Sequence, residues 1–335
     1  MSIKTSLKQA RGWLYLRSPN TRAQLCGAGV ILMLHRVLPD DACAALPHRN
    51  ELCVGMQALD KLLGWLHRHF ECVPLMELLR CDGDAADQRP RVALTFDDGW
   101  RDNALNAFPV LRRHGVPASI FLSTDYIGSR QRFWWESIGE TLWGSYGESA
   151  RRGLVGQLLE LGHPLPASYF ATKHRRTRSQ ALAVYLESLK HLGHAALQHI
   201  TDACPPQAMP QAMDWAQVRE MEASGLVRFG PHGASHALLP GLDDQRLDEE
   251  LRRSHAALAQ GCQNPLPVYC YPNGDHDKRV RARVAAHGYP FALSTRTGIC
   301  NRYDDPLALP RIGVSHQTAS SPSLLAWRLS RGARS

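Results

Sequence analysis

Two rhythms of apolar and polar positions alternate along this chain. A continuous apolar run of strand length occupies 29–34, ending on His35, and further buried strands read at 91–96, ending on Asp97-Asp98-Gly99, and at 116–122. Runs that are apolar on both faces mark strands buried in a parallel sheet. Between them apolar residues fall at helical spacing: Leu59, Leu62, Leu63 and Leu66 within 55–80, then Ala104, Phe108 and Leu111 ahead of Gly115. A short strand near 72–74 interrupts the first of these helical stretches. Beyond residue 213 the alternation resumes, predicting helices over 214–224, 243–260 and 277–288 and strands over 226–229, 267–271 and 290–294. Repeated strand–helix units predict an α/β fold with a parallel sheet and its chemistry at the carboxyl ends of the strands.

Two stretches depart from that rhythm. In the first twenty residues Lys4, Lys8, Arg11 and Arg17 surround Leu7, Trp13, Leu14 and Leu16, the pattern of an amphipathic basic helix. Such a helix suits packing on the domain, and its chemistry also suits an anionic membrane surface. Residues 131–213 open with the aromatic cluster Phe133-Trp134-Trp135, continue as Arg-rich helical sequence and end in a Pro-rich piece. The expected organisation is one domain over 1–335, with an N-terminal helical extension at 1–24 and a helical insertion at 131–213.

Composition narrows the function classes. With 335 residues, 44% hydrophobic and 21% charged, the chain has the balance of a soluble globular protein. A body of this size buries a core without metal or disulfide staples, so any metal site is expected to be functional. The net charge of +8 calls for an anionic partner to be weighed. The basic residues are scattered and form no nucleic-acid module, which argues against nucleic acid. A phosphate-bearing glycan carrier or peripheral contact with an anionic membrane surface is compatible with the charge. Nine cysteines without a CxxC pair offer no zinc knuckle. No secretory leader is recognisable, and the longest apolar stretch, 27–34, is too short to span a bilayer. A reduced, cytoplasmic protein is expected, with contact at the inner face of the membrane left open.

Three predicted strand ends carry the chemistry. Thr95-Phe96-Asp97-Asp98-Gly99 places adjacent carboxylates at the end of a buried strand. They repel unless a cation or a shared proton intervenes. A divalent metal on one of them would leave the other free as a base. Asp-Gly is also ordinary turn chemistry. The second segment, Gly230-Pro231-His232-Gly233-Ala234-Ser235-His236, sets two histidines four apart, a spacing that on a helical turn aims both imidazoles at one ion. Two histidines and a carboxylate form a common facial set with positions left for water and substrate. The third, Tyr269-Cys270-Tyr271-Pro272-Asn273-Gly274, reads as a turn unless a backbone N–H there meets developing negative charge.

In this order the three segments resemble the NodB-type polysaccharide deacetylases, carbohydrate esterase family 4. The likeness extends over 92–128, 215–242 and 249–311. It implies a distorted (β/α)7-type barrel with Asp97 as catalytic base and Asp98, His232 and His236 as metal ligands. It also implies an oxyanion donor in the backbone N–H at Asn273. Where the family has an Arg that orients the base, this chain has Cys270, and Arg311 in Leu309-Pro310-Arg311-Ile312 is the candidate replacement. The family's late catalytic-acid motif is not clear, and only Val314-Ser315-His316 comes near it. Leu34-His35-Arg36-Val37 instead resembles the N-terminal segment of a permuted subgroup, which makes His35 the expected acid and His316 the runner-up.

The resemblance implies a hydrolase that removes an N-acetyl group from an amino sugar of a polysaccharide, glycolipid or glycan precursor. Its cofactor would be a divalent metal, with Zn2+ the first choice for two imidazoles and one carboxylate. Trp134, Trp135 and Tyr271 are the expected substrate contacts, although both tryptophans are equally suited to anchoring the insertion. A deformylase of a lipid-linked amino sugar is the closest alternative. A metal-dependent glycosyltransferase accounts for the paired aspartates but gives the histidines no task. A binding protein without turnover would not need both sets.

Overall fold

Each apolar run folds as a strand of one parallel sheet. A computed structural model describes every residue except 1–2, 19–20, 22–24, 26–28, 46–48, 50, 81–88, 172–173 and 333–335. The strands are β1 (Val30–Leu34), β2 (Arg36–Leu38), β3 (Cys53–Gly55), β4 (Glu71–Cys72) and β5 (Arg91–Phe96), followed by β6 (Ala118–Leu122), β7 (Val227–Pro231), β8 (Val268–Cys270), β9 (Phe291–Thr297) and β10 (Leu309–Gly313). The main sheet runs β7-β6-β5-β1-β10-β9-β8, with β4 added beside β5, and every pairing along it is parallel. It curls into a nearly closed barrel of seven parallel strands, in which β1 lies between β5 and β10. The end strands approach one another where the Leu266 N–H donates to the Phe229 carbonyl at 2.7 Å.

That closure depends on a missing side chain. A Cβ on Gly230 would lie 2.8 Å from the Phe121 ring and 2.9 Å from the Val268 carbonyl oxygen. Helices cover the barrel, each turning its apolar stripe inward. In the helix Met56–His69 the buried stripe is Ala58, Leu59, Leu62, Leu63, Trp65 and Leu66. Between β6 and β7, ahead of the helix Trp215–Ala223, the helices Trp134–Trp143, Glu148–Glu160, Ala167–Phe170, Arg175–Leu189 and His194–Asp202 share a core built on Ile138, Leu142, Leu158, Leu182 and Ile200. The N-terminal helix Ile3–Arg17 packs on the C-terminal helix Pro322–Gly332: Lys8 Nζ sits 4.5 Å from the Trp327 ring centroid. Gln9 Nε2 donates to Ser321 Oγ at 2.9 Å. Leu7, Trp13 and Leu14 remain exposed on this helix. Among the described residues no helix is long and apolar enough to cross a membrane.

Three local features depart from the sequence pattern. The residues after His35 continue as β2 and pair with β3, strands of three residues each, too short to show a period. Residues 232–236 are a loop and not a helical turn. Gly233 and His236 both take left-handed backbone angles there, φ 73 and 59, which no helix accommodates. After Trp100 the chain enters a π-helical segment, Asn103–Ala107, before the α-helix Phe108–His114.

Gly230→Ala should destabilise the fold by about 1–3 kcal/mol through overpacking at the barrel seam. Urea denaturation checks this, and a variant with an unchanged midpoint would mean that the seam relaxes freely.

Candidate active site and metal centre

All three motif segments, the His35 segment and Arg311 meet at the carboxyl ends of the barrel strands. Asp97 leaves β5 with ordinary geometry, but Asp98 follows with φ 74, a left-handed conformation that is strained for any residue with a Cβ. The twist sends the two carboxylates to different partners. Asp97 receives a bidentate pair of bonds from Arg311, Nη1 to Oδ1 at 2.8 Å and Nη2 to Oδ2 at 2.7 Å. Arg311 is fully buried in β10 and also donates to the Ser294 carbonyl and to Thr95 Oγ1. Burial alone would raise the Asp97 pKa, but the Arg311 charge and its hydrogen bonds hold the carboxyl below its usual range. Cys270 Sγ stands 3.6 Å from Asp97 Oδ1, and His35 Nε2 stands 3.9 Å from Asp97 Oδ2.

Asp98 turns toward the histidines. Its Oδ1 lies 3.4 Å from His232 Nε2 and 3.3 Å from His236 Nε2, while Oδ2 accepts the Trp100 indole N–H at 2.7 Å. Burial opposes ionisation of Asp98, yet the two imidazoles outweigh it and hold this carboxyl well below the usual range. His232 Nδ1 is 2.9 Å from the Cys270 carbonyl, which can only accept, so Nδ1 carries a proton. In the neutral ring Nε2 then presents a lone pair to the Asp98 carboxylate. Two facing lone pairs need a proton or a cation between them.

The donor set fits a divalent metal. Two ligand atoms, each about 2.0–2.2 Å from a tetrahedral ion, lie about 3.4 Å apart, which matches the separations from Asp98 to both imidazoles. The second nitrogen of His232 bonded to a backbone carbonyl is the usual outer support of a metal-ligating histidine. Asp97, His232 and Cys270 also come within reach of one another. Both Asp97 oxygens are already engaged by Arg311, so Asp98, His232 and His236 form the set that suits a cation. The loop bearing His236 is held by Glu250, whose carboxylate accepts from the Ala234 and Ser235 N–H groups at 2.9 Å each. Sequence reasoning missed Glu250, although an acid within the apolar stripe of Leu247, Leu251 and Leu258 is a visible signal.

Asn273 sits in a 3-10 turn after β8 with φ 58, its side-chain amide donating to Asp275 at 2.7 Å and its carbonyl accepting from Thr295 Oγ1 at 3.1 Å. Lys190, at the end of the helix Arg175–Leu189, donates to Asn273 Oδ1. Nothing in the pattern of the chain points to this lysine reaching the site.

Some expected contacts are not where the sequence put them. Tyr271 is not a substrate contact: it is fully buried among Leu239, Val280 and Ala292, and its hydroxyl donates to the Leu307 carbonyl at 2.9 Å. It lies just after β8, where alternation turns its ring away from the barrel mouth. Trp134 packs against the core of the helices at 134–202. Trp135, half-buried, stands with its ring 4.6 Å from that of His236. His316 accepts from the Gly55 N–H at 3.0 Å and contacts the Cys43 thiol, so it faces neither aspartate.

Residues 84–292 match the family described as Polysaccharide deacetylase. This chain belongs to the polysaccharide deacetylase family. The deacetylase is 31% identical over 268 residues to YxkH of Bacillus subtilis (strain 168), whose name assigns it to the polysaccharide deacetylases, covering 79% of this chain and 67% of that one. Its fold resembles the Streptococcus pyogenes deacetylase PplD, solved in complex with acetate, with a TM-score of 0.57, 17% identity and coverage of 89% and 96% of the two chains. It also resembles IcaB of Ammonifex degensii, with a TM-score of 0.56, 18% identity and coverage of 90% and 97%. Members of the family are hydrolases acting on amide bonds, and this deacetylase is such an enzyme.

Arg311→Leu should cost about 3–5 kcal/mol, because it strands a buried carboxylate without its partner. Thermal unfolding of the variant is the measurement, and a loss below 1 kcal/mol, roughly the worth of an exposed pair, would mean that Asp97 finds another cation.

Proposed function

We propose that this deacetylase removes an N-acetyl group from an amino sugar of a polysaccharide or glycan precursor, in a reaction that requires a divalent metal. The observation that carries the reading is the division of two adjacent carboxylates, one onto an arginine and one onto a histidine pair. Asp98, His232 and His236 would hold the metal, and zinc suits this donor set best. When bound, the metal supplies positive charge that polarises the amide carbonyl and makes water easier to deprotonate.

The remaining work belongs to side chains of this chain. Asp97, kept ionised by Arg311, accepts a proton from the attacking water as the new C–O bond forms. Its bidentate engagement fixes the carboxylate plane, so proton transfer needs no reorientation. The backbone N–H of Asn273 meets the negative charge that develops on the carbonyl oxygen. His35, across from Asp97, delivers a proton to the departing nitrogen as the C–N bond breaks. Without that proton the leaving group would be an amide anion, and the intermediate would expel hydroxide instead. One water is consumed, yielding acetate and a free amine. Trp135, at the rim beside His236, offers a face on which a sugar ring can stack.

Metal content and amine release from an N-acetylated chitooligosaccharide test the roles together. Asp97→Asn should keep its metal and lose nearly all turnover, at least about 10³-fold within the usual range for a general base. His232→Ala should lose both metal and activity. A chelator should abolish turnover, with recovery on adding zinc. Wild-type activity in Asp97→Asn, or full activity in metal-free protein, would sink the reading.

A further inference from the structure

The imidazole of His35 makes no hydrogen bond of its own among the described residues, and its side chain is 17% exposed. Its aim is therefore set by the backbone that carries it. That backbone is gripped by the segment directly after the paired aspartates. Asn103 Nδ2 donates to the His35 carbonyl at 2.8 Å, Asp102 Oδ1 accepts the Val37 N–H at 2.8 Å, and Asn106 Nδ2 donates to the Val37 carbonyl at 2.7 Å. Carbonyls two apart on an extended chain point the same way. The three side chains thus serve as a substitute strand along one edge of β2, whose other edge pairs with β3.

Asn103 and Asn106 lie in the π-helical turn Asn103–Ala107, and Asp102 directly precedes it. Residues i, i+1 and i+4 share one side of the winding, as Asp102, Asn103 and Asn106 do, and π-helical turns occur often at functional sites. Asn103 is wholly buried, and its Oδ1 has no partner. An orphaned buried acceptor is costly, so an asparagine here earns its place through its N–H donor. The grip extends to the metal side. Asp102 Oδ2 accepts from Arg36 Nε at 2.8 Å, the Arg36 guanidinium lies 4.2 Å from the Trp100 ring centroid, and Trp100 donates to Asp98.

We infer that Asn103, supported by Asp102 and Asn106, is a positioning residue that holds the acid His35 at a fixed distance from Asp97 through its backbone carbonyl. The inference rests on the proposed role of His35.

A positioning residue for the acid matters only when the leaving group needs a proton. Chitooligosaccharide deacetylation needs one. Hydrolysis of p-nitrophenyl acetate does not, because its phenolate departs unaided. Asn103→Leu keeps the branched shape and removes the donor. Its kcat on the amide should fall about 10²-fold, the scale of a misplaced catalytic group, with KM and metal content unchanged. The ester rate should fall by less than about threefold, since a general acid contributes nothing there. Asn106→Ala, at a half-buried position, should show the same selectivity at smaller size, and it decides the matter if Asn103→Leu fails to fold. Equal losses on amide and ester, or no loss on either, would overturn the inference. His35→Asn separates the two readings: if it cleaves the amide at the wild-type rate, the acid assignment itself has failed. If it loses the amide selectively while both asparagine variants do not, only the positioning role falls.

Discussion

Two carboxylates joined by one peptide bond lie buried at the end of β5, and the architecture of the site follows from keeping both ionised. Like charges this close, away from water, force one of them to take up a proton unless each has its own cation. Backbone strain at Asp98 separates their directions. Arg311, on β10, meets Asp97 across the barrel interior, and the loop after β7 meets Asp98 with two imidazoles. Each partner reaches its carboxylate across one intervening strand of the curled sheet, β1 for Arg311 and β6 for the histidine loop, so fold and chemistry stand or fall together.

Much of the frame was legible because buried parallel strands leave a plain trace. Residues 91–96 are mostly apolar, broken only by Arg91 and Thr95, and form β5 with those bounds. The strand ends then say where to look for reactive side chains. What periodicity misjudged was the detail at those ends. The four-residue spacing of His232 and His236 suggested a helical turn, whereas a loop bent at Gly233 and pinned by Glu250 brings them together. Tyr271 had the chemistry of a sugar contact and the alternation of a core residue, and alternation won. The π-helical turn and the lysine at residue 190 left no trace, since the first is a one-residue change in winding and the second depends on how distant helices dock.

The helices that follow β6 are tied by charge to Arg36 on β2 and to Arg49 ahead of β3. Glu136 binds both Arg36 and Arg49, and Glu140 binds Arg49, Tyr146 and Gln207. Buried pairs of this kind add little net stability over apolar packing, but a single broken member leaves a stranded charge. The arrangement therefore specifies one docking geometry for the helices that carry Trp135 and Lys190 to the rim of the site.

The position of β1 between β5 and β10 has a consequence for how the molecule is made. As the chain is synthesised, β1 and β5 can pair once residue 96 has emerged, and one edge of β1 then waits for β10, which begins at residue 309. Through that interval an apolar, hydrogen-bonding strand edge stays open to mispairing with other nascent chains. Contacts so distant along the chain form slowly. Assembly of this enzyme in the cell thus has a late, vulnerable step, and chaperones that shield strand edges would act between the first pairing and the last.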